Sequence, residues 1–429
     1  MKVFVGLTEI AGYYGNLKRG LEQLGVECTF IDLNDHPFEY SRDVQANILT
    51  RLLKKVLKKR LLSAQSHLIV NIWWKVLCII LRISLFCWAF IQYDVFIFGF
   101  ASSFLSFYDL PILKCCRRRI IYVFHGSDSR PPYIDGYMKT IHGDLETGQY
   151  ISLIKRQKEI VAKIERYADV IISHPLSSQL HEKWFVPLTV IGIPYHISHT
   201  YLNYSTTSIE HKIRILHSPS NPETKGTLSI RHAIEKLRAK GYGIEFIEIS
   251  GEPNVVVLEE IARCDFVVDQ LYSDTMMAGF ATEAAFLGKP SVVAGYAESE
   301  VRRIFAADKI PPVHYCHPNE IEEAIEQLIV NREYRAELGA RAKAFVETNW
   351  APKKVAERYL QLIEGNMPQD WLYDPKDIVY LHGYGLSESS TEKFIKALIQ
   401  DGGIEALQIT DKPELARRFL QFACREAAC

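Results

Sequence analysis

Apolar and polar positions along the chain alternate in a repeating rhythm. Apolar runs of strand length stand at KVFVGL (2–7), VECTFIDL (26–33), YDVFIFGF (93–100), RIIYVFHG (119–126) and ADVIISH (168–174). The first two flank a stretch with helical spacing over 16–24, which makes a βαβ opening. After a pause the rhythm restarts with KIRILHSP (212–219), a helix over 228–240, GIEFIEIS (243–250) and a helix over 255–263. It continues through CDFVVDQL (264–271), a helix over 278–287 and PSVVAG (290–295), then helices at 319–330, 332–347 and 352–364. Strands that alternate with helices predict parallel, doubly wound sheets, and the two series predict two Rossmann-like α/β domains.

The pause at 195–211 is polar, rich in Ser and Thr and without apolar periodicity, so the interdomain linker is placed there. The expected boundaries are 1–200 for the first domain, 201–350 for the second and 351–368 for a helix that returns to the first. Residues 369–429 read as a small βαβα appendage built from IVYLHGYG (378–385), a helix over 391–403, IEALQIT (404–410) and a helix over 413–427. A length of 429 residues exceeds what one hydrophobic core usually serves, in keeping with two domains.

Composition narrows the class. With 48% hydrophobic and 24% charged residues and a net charge of -1, the chain is ordinary globular protein with no global field to recruit nucleic acid. The nine cysteines include no CxxC pair and no histidines at zinc spacing, so free thiols and no metal site are expected. The opening KVFVGL is a strand and not a signal-peptide pattern, and a cytoplasmic protein is expected.

One segment departs from this average. In 51–62, Leu52, Leu53, Val56, Leu57 and Leu61 share one helical face, and Lys54, Lys55, Lys58 and Lys59 the other. The apolar stretch 71–90 that follows is interrupted by Lys75 and Arg82. Residues 51–92 therefore read as helices docked on the sheet or as a peripheral contact with the inner membrane surface, which would suit a lipid-linked acceptor, with a span over 71–90 as a further alternative.

Two segments carry candidate phosphate chemistry. His217 to Thr227, with Ser218, Lys225 and Gly226, lies after a strand and before a helix, at the sheet edge where ligands of open α/β folds bind. The same residues also suit a plain β-to-α loop capped by Thr227. In the second segment, Asp269 to Pro290, Gly279 and Phe280 begin a helix, Glu283 lies one turn in, and Gly288 and Pro290 end it. Glu283 there is placed either to accept hydrogen bonds from ribose hydroxyls or to pair with the helix dipole.

Together, HSPSNPETKGT (217–227), Gly279 to Glu283 and Leu287 to Pro290 resemble the C-terminal domain of retaining GT-B glycosyltransferases of family 4. The resemblance implies two Rossmann-like domains facing across a cleft, and transfer of a sugar, with retention, from a UDP- or GDP-sugar to a glycan or lipid-linked acceptor. No metal or other cofactor is implied. It also implies diphosphate contact by Lys225 and ribose contact by Glu283. Where the family has the first glutamate of its Glu-x7-Glu motif this chain has Thr275, with Asp274 the nearest carboxylate. Where the family has an arginine before the lysine, Pro219 stands instead.

On the N-terminal side His125 and Asp128, at and just past the end of the strand over 119–126, are the candidate catalytic residues; each also suits a local turn hydrogen bond, and the resemblance, through the His125-Gly126 pair, points to His125 as lining the cleft. Gly12 and Gly15 correspond to the loop that faces the donor diphosphate, and His174 follows a strand in the same way. Asp128 and Arg130 are also placed to pair with each other. The two departures keep open a catalytically silent GT-B-like subunit that binds a nucleotide sugar or glycan; a second enzyme alternative is a nucleotide-sugar epimerase, with its carboxylates in the cleft near Asp128 and Asp274.

Overall fold

A computed structural model describes residues 1–34, 47–62, 68–143, 145–196 and 212–424. Most of the expected linker, 197–211, and the chain end, 425–429, lie outside them.

The first domain is a six-stranded sheet of β1 (Lys2–Leu7), β2 (Glu27–Asp32), β3 (Val95–Gly99), β4 (Arg119–Val123), β5 (Val170–Ser173) and β6 (Val186–Pro187). Their spatial order is β2-β1-β3-β4-β5-β6, and every pairing is parallel. The second domain is a five-stranded sheet of β7 (Ile213–His217), β8 (Ile244–Glu248), β9 (Phe266–Val268), β10 (Ser291–Ala294) and β11 (His314–Cys316). Its order is β11-β10-β9-β7-β8, again all parallel. The two doubly wound sheets are those the strand rhythm predicts. The short strands β6 and β11 lack its apolar run.

Both faces of the first sheet are covered, which is why its strands are apolar throughout. One face packs Phe4, Phe96, Phe98, Ile120 and Tyr122 against the helices Ile48–Leu62, Leu68–Gln92 and Thr147–Tyr167. The other packs Val3, Val5, Ile97 and Ile121 against the helices Tyr13–Gln23 and Pro352–Glu364. In that layer the Tyr13 and Tyr359 hydroxyls are 2.9 Å apart.

The two helices of 48–92 settle one alternative in part. Leu53 and Val56 of the first, and Cys78, Leu85, Phe86 and Ala89 of the second, are buried on the sheet. Ile72, Trp73, Val76, Ile79, Ile80 and Ile83 are exposed in one stripe, as are Leu61 and Leu62. Leu68–Gln92 contains a stretch, Val70–Gln92, with an 18-residue window of mean hydropathy 1.9, long and apolar enough to cross a membrane by length and composition.

The C-terminal segment corrects an expectation. Neither 378–385 nor 404–410 forms a ladder strand; the segment contains the helices Glu388–Gly402 and Pro413–Ala423, with short helical turns between extended pieces. Its apolar residues Ile395, Leu398, Leu407, Leu415 and Phe419 join the core of the first domain. The run 378–385 belongs instead to a connector buried against both domains: Ile378 lies in the core of the first, and Tyr380 packs with Leu176, Met276 and Val301. The run 404–410 begins as a short helical turn, Ile404–Leu407, and buries Leu407 and Ile409 in the core of the first domain. Burial on several sides imposes the same composition on a strand and on such a connector.

Candidate functional site

In each sheet the strand order reverses beside its first strand, between β1 and β3 and between β7 and β9. Loops leaving the carboxyl ends of those strands diverge, and a crevice opens there. The two crevices meet. Ile10 and Ala11, after β1, line a cavity with Ser218, Pro219, Ser220 and Lys225 after β7, Gly251, Glu252, Asn254 and Val257 after β8, and Gly279, Phe280 and Glu283 after β9. It encloses about 280 Å³, near the lower end of the size of small-molecule sites.

Two charged wall residues, Glu283 and Lys225, are held from behind. Glu283, on the helix Gly279–Phe286, is buried, and its Oε1 accepts hydrogen bonds from the Tyr195 hydroxyl (3.0 Å) and Asn254 Nδ2 (2.7 Å). The carboxylate therefore has a fixed orientation. Lys225 closes the short helix Pro222–Lys225, which Asn221 caps through its Oδ1. Its Nζ donates to Asp269 Oδ1 (3.2 Å) and to Gln270 Oε1. Burial works against the ammonium, but Asp269, Tyr384 and Asp274 together outweigh it and raise the pKa.

His217 does not supply the missing positive charge beside Lys225. Its Nδ1 is 2.8 Å from the Val268 carbonyl and must carry the proton, so Nε2 accepts from the Thr227 hydroxyl at 2.9 Å. Burial lowers its pKa further. His217 thus pins the loop to β9 as a neutral group.

Asp274, the carboxylate nearest the expected sugar-orienting position, faces the other domain. Arg130 donates to its Oδ2 from Nε (2.8 Å) and Nη2 (2.6 Å), and donates from Nη1 to Asp135 Oδ2 (3.1 Å). All three side chains are buried. Arg130 does not pair with Asp128. Burial opposes its charge, yet the two carboxylates hold the guanidinium protonated. Thr275 lies in the same loop, its backbone tied to the Ser273 hydroxyl.

On the N-terminal side, His125 Nε2 lies 2.8 Å from the Tyr14 hydroxyl, and burial pushes the imidazole down to about 3, so it is neutral. Asp128 Oδ1 accepts the backbone N–H groups of His125 (2.8 Å) and Gly126 (3.0 Å) and so fixes the turn after β4. Its Oδ2 is buried without a partner among the described residues, and burial pushes the carboxyl up to about 6. Gly12 caps the helix Tyr13–Gln23 in a left-handed conformation. The amides of Tyr14 and Gly15 already donate to the buried Glu9 carboxylate at 3.0 and 2.9 Å. Desolvation pushes Glu9 up to about 7, against those amide hydrogen bonds. The cleft is thus met by Ile10 and Ala11, while Gly15 is engaged within its own loop. His174 lines a separate, smaller space with Thr275 and Met276.

The structure thus gathers Ser218, Lys225, Gly279, Phe280 and Glu283 on one cavity and sets His125, Asp128 and Asp274 in polar networks around the interdomain cleft. Sequence reasoning missed Glu9, Tyr195 and Asn254. Tyr195 and Asn254 carry no local signal, because their role is contact with a glutamate 88 and 29 residues away. Glu9 had one, since it too follows a strand's carboxyl end.

Two parallel, doubly wound domains facing across a cleft define the GT-B fold, and this chain has it. By sequence the chain matches no family model and no curated protein. Among solved structures it is similar to TarM, at TM-score 0.55 and 10% identity, over 84% of this chain and 98% of that one. It is also similar to HepE of Anabaena in complex with UDP-glucose, at TM-score 0.51 and 12% identity, over 85% and 99% of the two chains.

Proposed function

We propose that the chain is a glycosyltransferase that moves a sugar from a UDP-sugar to a glycan or lipid-linked acceptor with retention. The observation that carries the reading is a cavity between the domains in which Glu283, Lys225 and the helix N-terminus at Gly279 converge. A helix N-terminus and a lysine suit a diphosphate, and a carboxylate fixed by Tyr195 and Asn254 suits ribose hydroxyls. UDP is chosen over GDP because HepE, of the same fold, was solved with UDP-glucose.

In this reading Lys225 and the Gly279 helix stabilise charge that develops on the leaving diphosphate. The acceptor oxygen bonds to the sugar carbon as the carbon–phosphate oxygen bond breaks, and the acceptor proton passes to the diphosphate. The neutral His125 serves as a hydrogen-bonding group and not as a cation. Asp128 shapes the turn that presents it. The basic helix Ile48–Leu62 and the apolar stripe from Ile72 to Ile83 are the proposed contact with an anionic membrane surface, where a lipid-linked acceptor is available.

A second reading is a module that binds a nucleotide sugar without transferring it. It is favoured by the commitment of Asp274 to Arg130, which leaves the expected sugar-orienting position to Thr275. Calorimetric titration with UDP, UDP-sugars and GDP-sugars, beside Lys225→Ala and Glu283→Ala, tests the proposal. UDP-sugar binding that both variants weaken, with slow release of free UDP, is the expected result. Binding without turnover favours the silent module, and no binding of any nucleotide sugar overturns both.

A further inference from the structure

Residues 373–388 form a joint between the two domains. On the first-domain side, Tyr373 and Phe185 exchange backbone hydrogen bonds (2.8 and 3.2 Å), and Tyr384 N–H donates to the Ile134 carbonyl (3.1 Å). On the second-domain side, Arg303 donates to the Asp377 carbonyl (3.1 Å), Gly385 N–H to the Tyr272 carbonyl (2.9 Å) and Glu388 N–H to the Tyr296 hydroxyl (3.0 Å). The fit is close: a Cβ on Gly383 would lie 1.7 Å from the Ile134 carbonyl oxygen.

This joint delivers one side chain to the back of Lys225, a residue that lines the donor cavity. The Tyr384 ring centroid lies 5.7 Å from the Lys225 ammonium and 5.3 Å from the Arg130 guanidinium, with its hydroxyl 3.3 Å from Thr224 Oγ1. The two cations differ in what else they hold. Arg130 is neutralised by Asp135 and Asp274, whereas Lys225 also lines the cavity. A lysine is a point charge on a flexible stem, so its neighbours decide where the charge sits. Asp269 holds the ammonium but also competes with an arriving anion. An aromatic face attracts the same cation without cancelling its charge.

We propose that Tyr384 is a positioning residue of the donor site, whose ring holds Lys225 at the cavity wall with its charge available to the donor's diphosphate. The inference rests on the nucleotide-sugar reading and deepens it: the C-terminal segment is part of the donor site as well as a joint between domains. It also supplies a contact that the two Rossmann-like domains alone do not contain.

The test compares UDP with uridine, which lacks the diphosphate, by calorimetry on the full chain. Tyr384→Leu and Tyr384→Met keep bulk without a π face, and Tyr384→Phe keeps the face without the hydroxyl. The Leu and Met variants are expected to weaken UDP binding roughly three- to thirty-fold while uridine stays within about twofold, and the Phe variant to match the wild type. In a Lys225→Met background, Tyr384→Leu is expected to have no further effect on UDP. Phenylalanines with increasing ring fluorination at position 384 preserve shape and progressively weaken the face, so they keep the question answerable if the aliphatic variants do not fold. UDP affinity should fall along that series.

Unchanged UDP affinity in the aliphatic variants or along the fluorinated series overturns the proposal. So does a parallel loss of UDP and uridine affinity, which marks a joint that only holds the domains together. Failure of the wild type to bind UDP at all instead overturns the donor reading, and this inference with it.

Discussion

Arg130, in the loop after β4, donates twice to one carboxylate oxygen of Asp274, in the loop after β9 of the other domain, at 2.8 and 2.6 Å. The pair is buried, so it joins the domains where a solvated pair would contribute little. It also explains why the carboxylate nearest the expected sugar-orienting position is oriented away from that task.

Breaking this pair from one side leaves a buried charge without its partner. Arg130→Met is expected to destabilise the protein by about 3–5 kcal/mol, and Arg130→Met with Asp274→Leu by less than the sum of the single changes. Urea melts of the two single variants and the double variant measure the coupling. Strict additivity would show that the pair is not a unit.

Asp128 predicts a pH dependence. Its carboxyl titrates at about 6 when folded, from an ordinary value of 3.8, so the native state holds the proton longer than the unfolded chain. Its contribution to stability therefore falls as pH rises from about 4 to about 6, and a cost of about 3 kcal/mol is fully present above pH 7. Asp128→Asn keeps the Oδ1 acceptor and removes the charge. The gap between the variant's and the wild type's stability should widen by up to about 3 kcal/mol between pH 4 and pH 7. Thermal melts across that range check it, and a constant gap would refute the assignment.

Gly99 is required by Tyr14. A Cβ at position 99 would stand 1.7 Å from the Tyr14 hydroxyl and 2.6 Å from the Val123 carbonyl oxygen. Gly99→Ala is expected to cost at least the roughly 1–3 kcal/mol of an overpacked core and to displace Tyr14 from His125. In a Tyr14→Phe background the same change should cost less, because the hydroxyl clash is gone. Equal costs in both backgrounds, read from denaturant melts, would place the strain at Val123 alone.

The helices Ile48–Leu62 and Leu68–Gln92 predict salt-sensitive attachment to anionic lipid. Each lysine near such a surface contributes about 1 kcal/mol, so changing Lys54, Lys55, Lys58 and Lys59 to glutamate should abolish flotation with phosphatidylserine-containing vesicles. Trp73 is exposed, and its fluorescence should shift to the blue on binding. Equal flotation of variant and wild type would defeat the proposed contact.

The strand rhythm, the two doubly wound sheets and the lysine-loop and Glu283-helix placement were legible because they are local. An apolar run between turns declares a buried parallel strand, and a residue just past it is carried to the sheet's carboxyl edge wherever the rest of the chain lies. The same locality misled at 378–385 and 404–410. There, apolar residues serve a connector packed on both domains and a helical turn packed in the first domain's core, and the sequence pattern is indifferent to which surface covers them.

What the tertiary structure alone decided is partnership. Asp274 pairs with an arginine 144 residues away, Glu283 is oriented by residues 88 and 29 positions distant, and Tyr384 reaches Lys225 from the far end of the chain. Hydrogen bonds and cation–aromatic contacts depend on distances of a few ångströms, and those distances are set by how two sheets and a C-terminal joint pack. The sequence by itself determined which residues are delivered to the cleft; the packing determined which partners hold each of them there.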